Sequence, residues 1–266
     1  MKKGILSRRM MKKNLLERIT LRTELLYRGY ATSTQIVYIR EVERFLDYIN
    51  KEIIEITKSD VVRFLNEEES KKDTNTKIVQ LNALEFFFGE CLGITIAEDI
   101  NCFKREFKTR RLMTLKECEE LIGCVQERER IIYQLVKETK LTISEIGALK
   151  ANDLLQLDKD YYISEEKISL DLARELYTYL ERRGIDEGYI FMTREQKKIH
   201  ISTIQKGFIE NSKIFLKYEF TLKDFKYGVA LEMIKVYGEE VGADFLGYKE
   251  IKTMRQYFKR IGYVYK

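Results

Sequence analysis

The chain of 266 residues has no proline, no tryptophan and a single histidine, His200. Its four cysteines, Cys91, Cys102, Cys118 and Cys124, show no CxxC spacing and stand far from that histidine. A zinc site and a disulfide framework are therefore not expected, and reduced structural thiols are. No apolar run approaches the length that crosses a bilayer; the longest, such as "LEFFFG" at 84–89, span a few residues. The basic start is followed by no apolar stretch with a small-residue cleavage site, so no secretion signal is read. No GxGxxG or P-loop occurs, and nothing points to a nucleotide, a metal or any other cofactor. A soluble, cytoplasmic protein without a membrane partner is the expectation.

What is present is a globular composition, 44% hydrophobic and 12% aromatic, long enough for two cores. The net charge of +5 is unevenly spread. Residues 1–112 hold 22 of the 48 basic and 17 of the 43 acidic side chains, so the charges of residues 113–266 cancel. A basic N-terminal half fits a polyanion partner, and equally a solvated helix face.

Helical periodicity fills the first hundred residues. Ser7–Arg28 reads as a basic amphipathic helix ended by Gly29. A second helix starts at Thr32 or Ser33 with Ile36, Ile39, Val42, Leu46 and Ile49 on one stripe; a third is capped near Ser59; a fourth carries Ile78, Leu81, Leu84 and Phe88 and ends at Gly93. "KREFKTRR", 104–111, sets Lys104, Arg105, Lys108, Arg110 and Arg111 against Glu106 and has no apolar period. It reads as a linker. "TLKE" at 114–117 is a capping box that opens the next helix. The expected division is a helical domain at 1–103, a basic linker at 104–112 and a mixed domain at 113–266. In the last, short strands are expected around turns at 158–160 and 164–166, a helix closes at Gly184, "YIFM" at 189–192 is a strand candidate, and four helices follow around 203–217, 222–236, 239–246 and 250–258.

The segment "LGYKEIKTMRQYFKR" places Tyr257 nine residues after Tyr248. With a basic four-helix domain and a linker before it, this resembles the tyrosine recombinases, the phage-integrase and Xer-type enzymes. "RGYATSTQIVYIREVERFLDYI" is similar to the opening of their core-binding domain. "LVKETKLTISEIGALKANDL" is similar to the catalytic stretch usually written TGLRISELLALxxxDI. The resemblance covers roughly residues 15–260. It implies a mainly α fold with a small β-sheet in the second of two domains, and double-stranded DNA as partner.

It also implies chemistry. In that family two arginines hold the scissile phosphate bidentately, a lysine and a histidine manage protons, a further His or Trp supports the phosphate, and a tyrosine attacks phosphorus. Carried over by position, the first arginine becomes Thr142, whose "TISE" is itself a capping box. The His and Arg of H-x-x-R become Lys223 and Lys226, readable as phosphate contacts or as a solvated helix start. The histidine of "LGH" becomes Tyr248, a hydrogen-bond donor or a packing residue. Lys159 and Lys167 both lie where the catalytic lysine is sought. Tyr257 alone is kept, as a nucleophile or as a relic packed in place.

Three functions follow. The first is a DNA-binding family member without strand cleavage, touching phosphates through Lys104, Arg105, Lys108, Arg110, Arg111 and Lys226, nucleoid-associated, and possible partner of an active recombinase or another DNA-processing protein. The second is an active recombinase in which Lys226, Arg255 and Arg260 replace the clamp. The third is a protein-interaction module. Only Phe258–Lys266 follow the tyrosine, so a cyclic tetramer held by a longer tail is not expected.

Overall fold

A computed structural model describes residues 16–17, 19–68, 73–97, 100 and 109–263. The chain divides into two compact units, residues 1–107 and 108–266.

Every regular element among the described residues of the first unit is helical. Helix α1 spans 19–27, α2 Thr32–Ile49, α3 Lys58–Arg63 and α4 Thr74–Glu85. Helices α3 and α4 each run on into a π-helical turn, Phe64–Glu68 and Phe86–Cys91. Helix α2 has Ala31 at its N-cap with no side-chain bond, in place of the expected Thr32 or Ser33. The cap of α3 is Thr57, two residues before the expected Ser59. Asp60 supplies the reciprocal bond, because its carboxylate lies three residues on. Phe45 sits at the centre of the core, edge-on to Phe64 at 5.3 Å and to Phe88 at 5.8 Å. Two carboxylates are buried here with their charges answered. Glu41 accepts from Arg40, Arg44 and Gln80 at 2.7–2.9 Å. Asp60 accepts from Lys51 at 2.8 Å, and that bond leads the pull of its pKa down to about 2.

The second unit opens with α5 (Leu115–Cys124), α6 (Glu127–Glu138) and the short α7 (Ile143–Ile146). Strands β1 (Leu154–Leu157), β2 (Asp160–Ile163) and β3 (Glu166–Ile168) form one antiparallel sheet in the order β1-β2-β3. Leu154 pairs with Ile163, and Tyr161 with Ile168. Helices α8 (Leu170–Arg183), α9 (Ile201–Leu216), α10 (Leu222–Tyr237), α11 (Glu239–Phe245) and α12 (Ile251–Arg260) complete it. The expected strand at 189–192 is absent. Its ends make only single bridges, Tyr189 to Lys150 and Met192 to Lys198.

Thr114, Thr142 and Thr221 each cap a helix reciprocally with the acid three residues on, Glu117, Glu145 and Asp224. Two apolar clusters result. The main one gathers α5, α6, α8, α9 and the buried face of the sheet around Tyr133, Phe208 and Phe225. A smaller one, Leu112, Leu231, Ile234, Ala243, Met254, Phe258 and Ile261, seats α12.

Candidate functional site

Helix α10 carries two lysines at its start, and they part company. Lys223 is exposed. Its ammonium lies 4.2 Å from the ring centre of Tyr257 and 5.2 Å from that of Tyr227, one helical turn further along. The two rings are 4.5 Å apart. The Tyr227 hydroxyl meets the Tyr248 hydroxyl at 2.7 Å. Burial, helped by that bond, pushes the Tyr227 phenol far above its ordinary range. Tyr248 is brought there by Gly247: its φ of +75° ends α11 and sends the Tyr248 amide back to the Ala243 carbonyl at 2.8 Å. Tyr257 is half-buried on α12, between Tyr227 and the fully buried Phe258.

Lys226 turns inward. Its ammonium donates to the carbonyls of Lys140 and Leu141 at 2.9 and 2.8 Å and lies 5.3 Å from the Phe245 ring. Burial draws its pKa down to about 8, against the opposing pull of Glu145 and Glu166. The loop it holds is fastened elsewhere too. The Lys140 amide donates to Glu166 at 3.1 Å, and the Lys140 ammonium pairs with Asp244 at 2.6 Å. Thr142, next in the chain, uses its hydroxyl to accept the Glu145 amide at 3.3 Å, and its own amide donates to the Glu145 carboxylate at 2.7 Å. These bonds to Thr142 lower the Glu145 pKa.

The positions singled out in the sequence thus form two groups. Lys223, Tyr248 and Tyr257 meet around Tyr227, whereas Thr142 closes the loop at 139–142 and Lys226 braces that loop from α10. Lys159 is exposed in the β1–β2 turn, and Lys167 pairs with Asp160 at 2.8 Å. Lys167 also lines an open pocket of about 420 Å³ with Leu115, Val229, Met233 and Val236. Arg255 forms a two-pronged ion pair with Glu239. Among the basic residues of the expected linker, Lys104, Arg105 and Lys108 lie outside the described residues. Arg110 donates to Asp224 at 3.1 Å, while Arg111 pairs with Glu117 and lies 4.9 Å from the rings of both Tyr218 and Phe220. Sequence reading missed Tyr227, although its spacing of four from Lys223 was legible. Lys140 gave no signal. Among the described residues no three His, Cys, Asp or Glu side chains gather as a metal site would need.

Residues 15–98 match the family described as phage integrase, N-terminal SAM-like domain. Over most of the chain the likeness is one of fold. A lambda integrase tetramer bound to a Holliday junction superposes with a TM-score of 0.72 at 16% identity, over 92% of this chain and 77% of that one. The fold is that of the tyrosine recombinases. The XerH site-specific recombinase, in a pre-cleavage complex with its difH substrate, gives a TM-score of 0.69 at 14% identity, over 86% and 78% of the two chains. In sequence, the tyrosine recombinase XerA of Saccharolobus solfataricus (strain ATCC 35092 / DSM 1617 / JCM 11322 / P2) is 24% identical over 233 residues, which is 83% of this chain and 71% of that protein. The tyrosine-recombinase fold here is mainly α with its one described sheet in the second unit, as the sequence led one to expect.

Proposed function

We propose that this protein uses its tyrosine-recombinase fold to bind double-stranded DNA and no longer cleaves it. The observation that carries the reading is the fate of Lys226. By its place in the resemblance this residue should face a phosphate, yet its ammonium is consumed by two main-chain carbonyls. The other arginine position, Thr142, spends its hydroxyl on a helix cap. Neither residue offers the planar, bidentate fork that fixes a phosphate for in-line attack. Doing without one such donor costs about 10²–10³-fold in rate, and the costs compound. Tyr257, tilted against Tyr227 and covered by Lys223, then serves as a packed residue.

DNA binding itself is supported by the similar lambda integrase and XerH structures, which are complexes with DNA. The basic N-terminal half agrees with it. An active recombinase could be a partner, with the protein acting on DNA architecture or on that enzyme's choice of site. A nucleoid-associated, cytoplasmic setting goes with this reading; among the described residues no helix is long and apolar enough to cross a membrane.

One observation favours retained cleavage: a cation stands 4.2 Å from the Tyr257 ring and could meet a phosphate presented there. The two readings separate experimentally. Fluorescence anisotropy with a long mixed-sequence duplex should show affinity falling steeply with salt, by about 0.9 log units per log unit of salt for each phosphate bound. Incubation with nicked substrates should leave no covalent protein–DNA adduct. An adduct present in the wild type and missing in Tyr257→Phe would establish a live nucleophile. No binding even at low salt would leave the protein-interaction reading in place of both.

A further inference from the structure

Residues 109–113, the first described residues of the second unit, are bound alternately to the two elements that flank Tyr257. The Arg110 amide donates to the Ile261 carbonyl at 3.2 Å, and the Leu112 amide donates to the Tyr263 hydroxyl at 2.7 Å. The Met113 amide donates instead to the Asp224 carbonyl at 3.3 Å, and the Arg110 guanidinium reaches the Asp224 carboxylate at 3.1 Å. Two close approaches complete the lacing. A Cβ on Gly228 would lie 2.0 Å from the Met113 carbonyl oxygen, and one on Gly262 would lie 3.3 Å from the Thr109 methyl.

The Leu112 side chain, 6% exposed, enters the small apolar cluster with Met254, Phe258 and Ile261. Helix α12 buries only Met254 and Phe258 of its ten residues. A short helix so lightly anchored opens locally at low cost, independently of the larger core. Residues 109–113 add Leu112 to its seat and hold the turn that follows it at Ile261 and Tyr263.

We infer that residues 109–113 form a strap that clamps α12, and Tyr257 with it, to its own domain. The strap touches both sides of the tyrosine. Through Asp224 it fixes the first turn of α10, from which Lys223 covers Tyr257; through Ile261 and Tyr263 it fixes the turn that ends α12. Tyr263 is therefore a positioning residue for α12.

Hydrogen–deuterium exchange of the full chain tests the clamp. Tyr263→Phe keeps the ring and removes the acceptor for the Leu112 amide. It should speed exchange of amides 254–260 by about 10-fold while α6 and α8 stay as in the wild type. Leu112→Ala, which removes the apolar half of the clamp, should do the same. Unchanged α12 exchange in both variants, or one common acceleration of α6, α8 and α12, overturns the clamp.

Discussion

A half-buried lysine that donates hydrogen bonds to two carbonyls is held at some cost, and Lys226 makes that cost measurable. Its pKa in the folded chain is about 8, below the ordinary 10.5. Below pH 8 both folded and unfolded chains carry the proton, and folding bears the penalty of burying the charge. Between about 8 and 10.5 the unfolded chain binds more protons than the folded one, so stability rises with pH. Relative to Lys226→Met, which does not titrate, the wild type should therefore gain stability between pH 7.5 and 9.5. The expected gain is on the order of 1 kcal/mol after allowance for the residue's partial exposure. Urea denaturation of both proteins at the two pH values reads it; a difference that stays constant or moves the other way removes the assigned environment. Sequence alone located position 226 through its spacing. It could not say that the ammonium turns inward, because the acceptors are main-chain carbonyls of residues 140 and 141, which no side-chain pattern announces.

Helices were legible where a local signal fixes them. "TLKE", "TISE" and "TLKD" each place a hydroxyl and a carboxylate three residues apart, and each became a reciprocal cap. Helix α8 ends at Gly184 in the left-handed conformation, as its position after the last apolar residue implied. "YIFM" failed because strand propensity does not provide a partner strand: the segment's neighbours meet it at isolated bridges. The two π-helical turns had no sequence signature at all. Between elements, the tightest approach is that of α10 to the chain at Met113, where Gly228 leaves no room for a methyl group. Gly228→Ala should lower stability by about 1–3 kcal/mol despite alanine's better helix propensity. Thermal unfolding with a Tm equal to or above the wild type's would show that the main chain at Met113 yields freely.

Across the whole molecule, charge is uneven along the sequence: residues 1–112 carry the entire excess of +5, part of it at the start of the second unit. Within the basic stretch at 104–111 the side chains are not equivalent. Arg110 and Arg111 are already committed to Asp224 and to Glu117 with two aromatic rings. Replacing Lys104, Arg105 and Lys108 together by glutamine should therefore flatten the salt dependence of DNA binding, by about 0.9 for each phosphate no longer neutralised. Replacing Arg110 and Arg111 should instead lower the Tm and leave the salt slope nearly as it was. Anisotropy titrations at several salt concentrations, beside melting curves, distinguish the two sets; the reverse pattern would place DNA binding on the arginines.

The inward lysine also sets the cost of any change at its position. A single Lys226→Arg change would put a longer, planar, forked head where a compact ammonium now reaches two carbonyls from a half-buried position. Thr142→Arg alone would uncap α7, at about 1 kcal/mol, with no second guanidinium beside it. Each single step toward a pair of arginines lowers stability before the pair exists, so both single variants should melt below the wild type in a thermal scan. A two-arginine arrangement at these positions is thus uphill from this sequence from either side.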